Sequence, residues 1–225
     1  SFIGISSLLL ATTTMLIGFG YLFDALKKDR QEEIRFMAGW WLAVSGLLYS
    51  PFFILLLFGL IAMSMLKTLK VKDIFQFLTG YLSPFLIGWM FRVVLTQDLN
   101  PIVLAMFSDF GLPEIVPIYN LADIITLSIM GLALLVSILG YSHIIARKNI
   151  HAQKKIDTMY ALVFFTIPMA LFLPKISVQY LMVLAVPFSL FMAILLRGIR
   201  HPAIAESLHF LLFVAALVTQ FLYLV

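Results

Sequence analysis

Seven stretches of this 225-residue chain contain no Asp, Glu, Lys or Arg: 1–23, 36–66, 74–91, 124–146, 158–174, 176–196 and 207–225. An α-helix rises 1.5 Å per residue, so about 20 apolar residues cross the roughly 30 Å hydrocarbon core of a bilayer. Most of the stretches have that length. They predict an all-α fold, a polytopic bundle of transmembrane helices forming one integral membrane domain over 1–225. Composition agrees: 63% of residues are apolar and 12% charged, against about 25% charged in soluble domains. A soluble fold of this size has too little polar side-chain surface to cover such a core.

Several function classes are removed at once. The chain has no cysteine, hence no disulfide framework, thiolate metal site or Cys nucleophile. Its net charge of +4 comes from basic residues interleaved between apolar stretches. Nucleic-acid binding needs a basic face instead, so no nucleic-acid partner is expected. The chain starts inside an apolar stretch without Met, which reads as part of a longer polypeptide.

Loop charge sets the expected topology, because cytoplasmic loops are enriched in Lys and Arg. Thirteen of the fifteen basic residues fall in segments 24–35, 67–73, 147–157 and 197–201. The exceptions are Arg92 and Lys175, whereas segment 96–123 holds Asp98, Asp109, Glu114 and Asp123 and no basic residue. All four basic segments share one side only if 36–66 crosses twice or re-enters. Tyr49-Ser50-Pro51 interrupts it at the middle, and proline removes a backbone donor and disfavours helix at the residue before it. The expected segments are 2–23, a short pair at 37–49 and 51–66, then 74–95, 121–146, 158–174, 177–196 and 203–225. These make eight, with basic loops in the cytoplasm of a bacterial inner membrane and loop 96–120 outside. Gly18, Gly20, Gly131 and Gly140 are expected at close helix approaches.

Charges at membrane depth mark candidate sites. Arg92 follows Trp89-Met90-Phe91 near the outer end of its helix, Lys175 follows Pro174 in an outer turn, and Asp123 opens helix 121–146. A guanidinium and an ammonium at one interface suit a lipid-linked phosphate, since Arg binds phosphate oxygens bidentately and Lys adds a point charge. Arg92, Lys175 and Asp123 are thus candidate lipid-phosphate-binding residues. Asp98 and Asp109 are candidate general bases for a sugar hydroxyl. The competing structural readings are snorkelling of Arg92 to headgroups and helix-dipole stabilisation by Asp123. The four histidines, at 143, 151, 201 and 209, include no H-x₂₋₄-H pair. No metal site and no cofactor are expected, and no phosphate loop or dinucleotide fingerprint occurs.

The order of features from Ala25 to Lys70 is a basic loop (ALKKDRQEEIR), a Gly-containing short helix, a proline break, an apolar short helix and a second basic loop (KTLK). This resembles the short-helix pair of the GT-C superfamily of membrane glycosyltransferases. The resemblance implies use of a polyprenyl-phosphate sugar. That superfamily carries its catalytic acid in a first external loop before the pair, and residues 1–24 supply no such loop. Many members also place a basic residue just before the proline, where Tyr49-Ser50 stands here. No catalytic residue carries over. Stretch 153–223 resembles an uncharacterised bacterial family of polytopic proteins. The leading expectation is a GT-C-like cell-envelope protein binding a polyprenyl phosphate or lipid-linked glycan at the outer face and, if it is an enzyme, transferring sugar. The alternatives are a non-catalytic subunit associating with other membrane proteins, and a transporter.

Overall fold

The structure is a computed structural model of the chain. It describes residues 6–25, 31–66, 69–97, 114–115, 124–125, 127–129, 131–132, 135, 139–140, 145, 148–170, 175–176, 180, 182–199 and 201–222. The described chain is helical apart from two short strands. In order it forms α1 (Ser7–Asp24), α2 (Gln31–Leu48), a 3-10 turn (Ser50–Ile54), α3 (Leu55–Leu66) and α4 (Val71–Thr96). Strand β1 (Glu114–Ile115) follows, then α5 (Ile150–Ala170), β2 (Lys175–Ile176), α6 (Met182–Gly198) and α7 (Pro202–Leu222). Strands β1 and β2 pair with each other. Described residues between 124 and 139 are helical, as expected for segment 121–146.

The chain divides into two compact units: one of Ile5–Glu114 with Ile150–Ile176, the other of Ser1–Gly4, Ile115–Asn149 and Ser177–Val225. The larger unit contains α1 to α5. Within it α2 packs most extensively against α4 and α1, and α3 against α5.

The α2–α4 contact rests on small residues. Both helices leave the same end of the unit side by side. Asp73, Gln76, Phe77 and Gly80 follow the i, i+3, i+4, i+7 spacing of one helix face. They meet Arg35, Phe36 and Gly39 of α2. A methyl group added at Gly39 would overlap the carbonyl oxygen of Phe77 and sit 2.8 Å from the nitrogen of Tyr81. One added at Gly80 would overlap the carbonyl of Phe36 and sit 2.9 Å from its Cα. The two backbones therefore touch, which only glycine permits. Of the glycines expected at close approaches, Gly18 does meet Leu42, whose Cδ2 would lie 2.8 Å from an added methyl. Gly20 and Gly131 face open space, so their places in the sequence reflect no such contact among the described residues.

The proline break behaves as the sequence suggests. Tyr49 adopts an extended backbone (φ −148°, ψ 107°), Pro51 enters a 3-10 turn, and α3 then runs back. Pro51 and Phe52 are buried. At the turn, the hydroxyl of fully buried Tyr81 donates to the Phe53 carbonyl at 2.8 Å. Phe53 also meets Tyr81 and Phe85 edge-on, with ring centroids 6.3 and 5.8 Å apart, a favoured aromatic geometry. The turn thus lies level with Tyr81 and Phe85. At 1.5 Å per residue that is about 18 Å along α4 from Asp73, and α4 continues for about another 17 Å to Thr96. The α2–α3 pair is a hairpin shorter than the helix beside it. Beyond its turn, Leu86, Met90, Phe91, Val94 and Leu95 of α4 are exposed.

Several boundaries differ from expectation: α1 begins at Ser7 rather than 2, α3 at Leu55 rather than 51, α4 at Val71 rather than 74 and α6 at Met182 rather than 177. Helix α2 begins at Gln31 rather than 37, and α5 at Ile150 rather than 158. Charged residues expected in basic loops instead form the first turns of helices, because polar side chains at a helix end reach solvent without interrupting its hydrogen bonds. Among the described residues, α1 and α4 are long and apolar enough to cross a bilayer.

Candidate functional site

Five helix ends of the larger unit meet in a polar layer: the end of α1, the start of α2, the end of α3 and the starts of α4 and α5. Its centre is a buried ion pair. Arg35, in the second turn of α2, lies 2.6 Å from Asp73 Oδ1, and both side chains are 7% exposed. Arg35 also donates to Gln76 Oε1 at 3.1 Å. Asp73 Oδ2 accepts from the backbone N–H of Lys70 at 3.2 Å, closing the first turn of α4 as a cap. Burying two charges carries a large desolvation cost, offset here by close pairing and added hydrogen bonds.

Around this centre the other basic segments attach. Exposed Lys72 pairs with Glu32. That ion pair, with its hydrogen bond, holds the Glu32 carboxyl below the ordinary carboxylate range. Lys154 of α5 donates to the carbonyl of Leu66 at 2.9 Å, satisfying the open end of α3. Lys155 lies 5.4 Å from the ring centroid of Phe23, within cation–π range. Segments 24–35, 67–73 and 147–157 therefore share one end of the unit, as their charge suggests.

The sequence did not single out Arg35, Asp73 and Gln76. A signal was present: Arg35 is the last charge before apolar stretch 36–66 and Asp73 the last before 74–91, with opposite signs. Two charges that abut long apolar runs are those most readily drawn into a core. Chemically the layer is a clamp that fixes helix ends. Two opposite-charge pairs, Arg35 with Asp73 and Lys72 with Glu32, hold it.

The sequence-derived candidates are distributed as follows. Arg92 lies in the last turn and a half of α4, half-buried, and Thr96 Oγ1 donates to its carbonyl at 2.7 Å. Its neighbours Phe91, Val94 and Leu95 are exposed. Lys175 belongs to β2, whose backbone pairs with β1 at Glu114–Ile115. Glu114 of the acidic segment is thus in the strand paired with that of Lys175. Asp98, Asp109 and Asp123 lie outside the described residues.

Fold and layer define a helical protein with one strongly charged end and a proline-broken hairpin. The chain belongs to a family of unknown function, DUF6427, whose model matches residues 2–224. No curated protein matches it. No solved structure matches it either.

Proposed function

We propose that this is an integral protein of a bacterial inner membrane, with the polar layer at the cytoplasmic face and a lipid-linked phosphate as ligand at the outer face. One observation carries the reading. From Asp73 in the polar layer to Arg92 is about 29 Å along α4 at 1.5 Å per residue, which matches the roughly 30 Å hydrocarbon core. A helix anchored by charge at one interface therefore presents its next cation at the other. Helix α5 supports the same disposition. It leaves the layer at Lys154, and Lys175 lies beyond its far end. The exposed apolar residues between belong in lipid. In this reading the chain has eight membrane segments, and the α2–α3 hairpin re-enters from the cytoplasmic side without reaching the outer face. Non-helical backbone at such depth is tolerated when protein surrounds it, as buried Pro51 and Phe52 are here.

In this reading Arg92, Lys175 and Asp123 would hold the phosphate, and Asp98 or Asp109 would act on the acceptor hydroxyl. The hairpin between basic segments supports the GT-C resemblance, and with it glycosyl transfer from a polyprenyl-phosphate sugar. The native chain has no cysteine, which makes single-cysteine variants clean reporters. A membrane-impermeant maleimide applied to sealed cells should label Gln97→Cys and spare Lys148→Cys; labelling of both from one side overturns the topology. Binding of polyprenyl phosphate in detergent should fall about tenfold in Arg92→Ala, the loss of one charge-assisted phosphate contact. Undiminished binding removes the site. A second reading, an accessory subunit in a membrane assembly, draws on exposed aromatic side chains at Phe75, Phe91, Phe164, Phe210 and Phe213. Stoichiometric co-purification of a partner is its test.

A further inference from the structure

In the smaller unit, α6 and α7 are joined by three residues and line an open groove of about 630 Å³. Its lining contains Arg197 from the last turn of α6, Glu206 and His209 from α7, and a floor of Leu196, Phe210 and Phe213. Arg197, Glu206 and His209 are exposed. None of the three makes a hydrogen bond or ion pair with the described residues. A cation and an anion therefore line one groove without neutralising each other. Phe210 and Phe213 follow Glu206 by one and two turns, about 6 and 10 Å along α7, and are 67% and 57% exposed.

An apolar trough beneath a separated pair of opposite charges matches one kind of molecule: an amphiphile whose head carries both an anion and a hydrogen-bonding cation. We propose that this groove binds a zwitterionic phospholipid with a primary ammonium. Its phosphodiester meets the Arg197 guanidinium, its ammonium meets the Glu206 carboxylate, and an acyl chain lies along Phe210 and Phe213. His209, one turn below Glu206, supplies a donor at the depth of the ester carbonyls. A purely anionic head would leave Glu206 facing like charge. A quaternary ammonium would give that carboxylate no N–H to accept from, and a charged group left without its hydrogen bonds weakens binding. Segment 197–201 is one of the basic segments, so the groove mouth falls at headgroup level on the cytoplasmic side. The inference rests on the membrane reading above and is independent of the Arg92 site.

The test is lipid retention by the full chain reconstituted in vesicles of equal parts phosphatidylethanolamine, phosphatidylcholine and phosphatidylglycerol, then extracted gently and weighed intact by native mass spectrometry. Phosphatidylethanolamine should be retained preferentially. Glu206→Gln should lower its retention about tenfold, the loss of one charge-assisted contact, and raise that of phosphatidylglycerol by relieving the like-charge repulsion. Arg197→Gln should lower both. Glu206→Arg should shift preference to phosphatidylglycerol, a gain that misfolding cannot produce. Equal retention of the three lipids, or a Glu206→Gln profile identical to the parent, overturns the inference. Equal retention by a chain that inserts normally leaves the membrane reading standing; failure to insert removes both.

Discussion

The buried pair of Arg35 and Asp73 gives the sharpest prediction. Asp73→Asn keeps the shape of the side chain and an oxygen that can accept from the Lys70 N–H, now 3.2 Å from Asp73 Oδ2. It removes the charge opposite a guanidinium whose side chain is 7% exposed. Removing one partner of a buried ion pair typically costs about 3–5 kcal/mol, because the other charge stays desolvated without compensation. The Gln76 contact at 3.1 Å remains, so the expected cost is at the low end, about 3 kcal/mol. The double variant Arg35→Met/Asp73→Leu removes both charges and should lie close to the parent, since apolar replacements of buried pairs are often neutral or stabilising. With the single substitutions Arg35→Met and Asp73→Leu, the double completes a cycle whose coupling should approach the summed cost of the two single changes. Denaturant unfolding in micelles, read by the fluorescence of Trp40 and Trp41 on α2, measures each protein. A cost for Asp73→Asn below about 1 kcal/mol, the range of exposed pairs, or additive single effects, would refute the claim that this pair is desolvated and coupled.

Other outcomes follow from the same unit. Gly39→Ala and Gly80→Ala should each lose about 1–3 kcal/mol or more through backbone overlap, whereas Gly20→Ala, facing open space, should leave the unfolding midpoint unchanged or slightly raised. Tyr81→Phe removes the 2.8 Å bond to the Phe53 carbonyl; about 0.5–1.5 kcal/mol should go with it, together with faster proteolysis at the hairpin turn. The hydrogen bond and charge of Lys72 hold the Glu32 carboxyl below the ordinary carboxylate value. Any stability from that pair is therefore present above the unfolded carboxyl pKa and lost as pH falls through the lowered one. Carboxyl carbon NMR titration should give a midpoint below that of an ordinary glutamate, rising in Lys72→Gln. Because the pair is exposed, Glu32→Gln should leave the unfolding midpoint unaltered.

Much of the architecture was legible before any coordinates. Apolar runs set the helices, since a long uncharged segment has few alternatives to a helix. Pro51 set the hairpin, because it deprives a helix of a donor and constrains the residue before it. The charge runs also announced which helix ends would share a side, and Lys72–Glu32 and Lys154–Leu66 bear that out. Two things were decided only in three dimensions. Which glycines matter depends on what crosses them: Gly20 and Gly80 look alike in one-letter code, yet only Gly80 meets another backbone. Likewise Arg35 and Asp73 read as loop charges, 38 positions apart in the chain. They become a buried pair only because Gly39 and Gly80 bring α2 and α4 close enough to exclude solvent from the first turns of both. Local sequence governs what each segment can form, whereas the desolvation that gives a charge its energetic weight is a property of its neighbours.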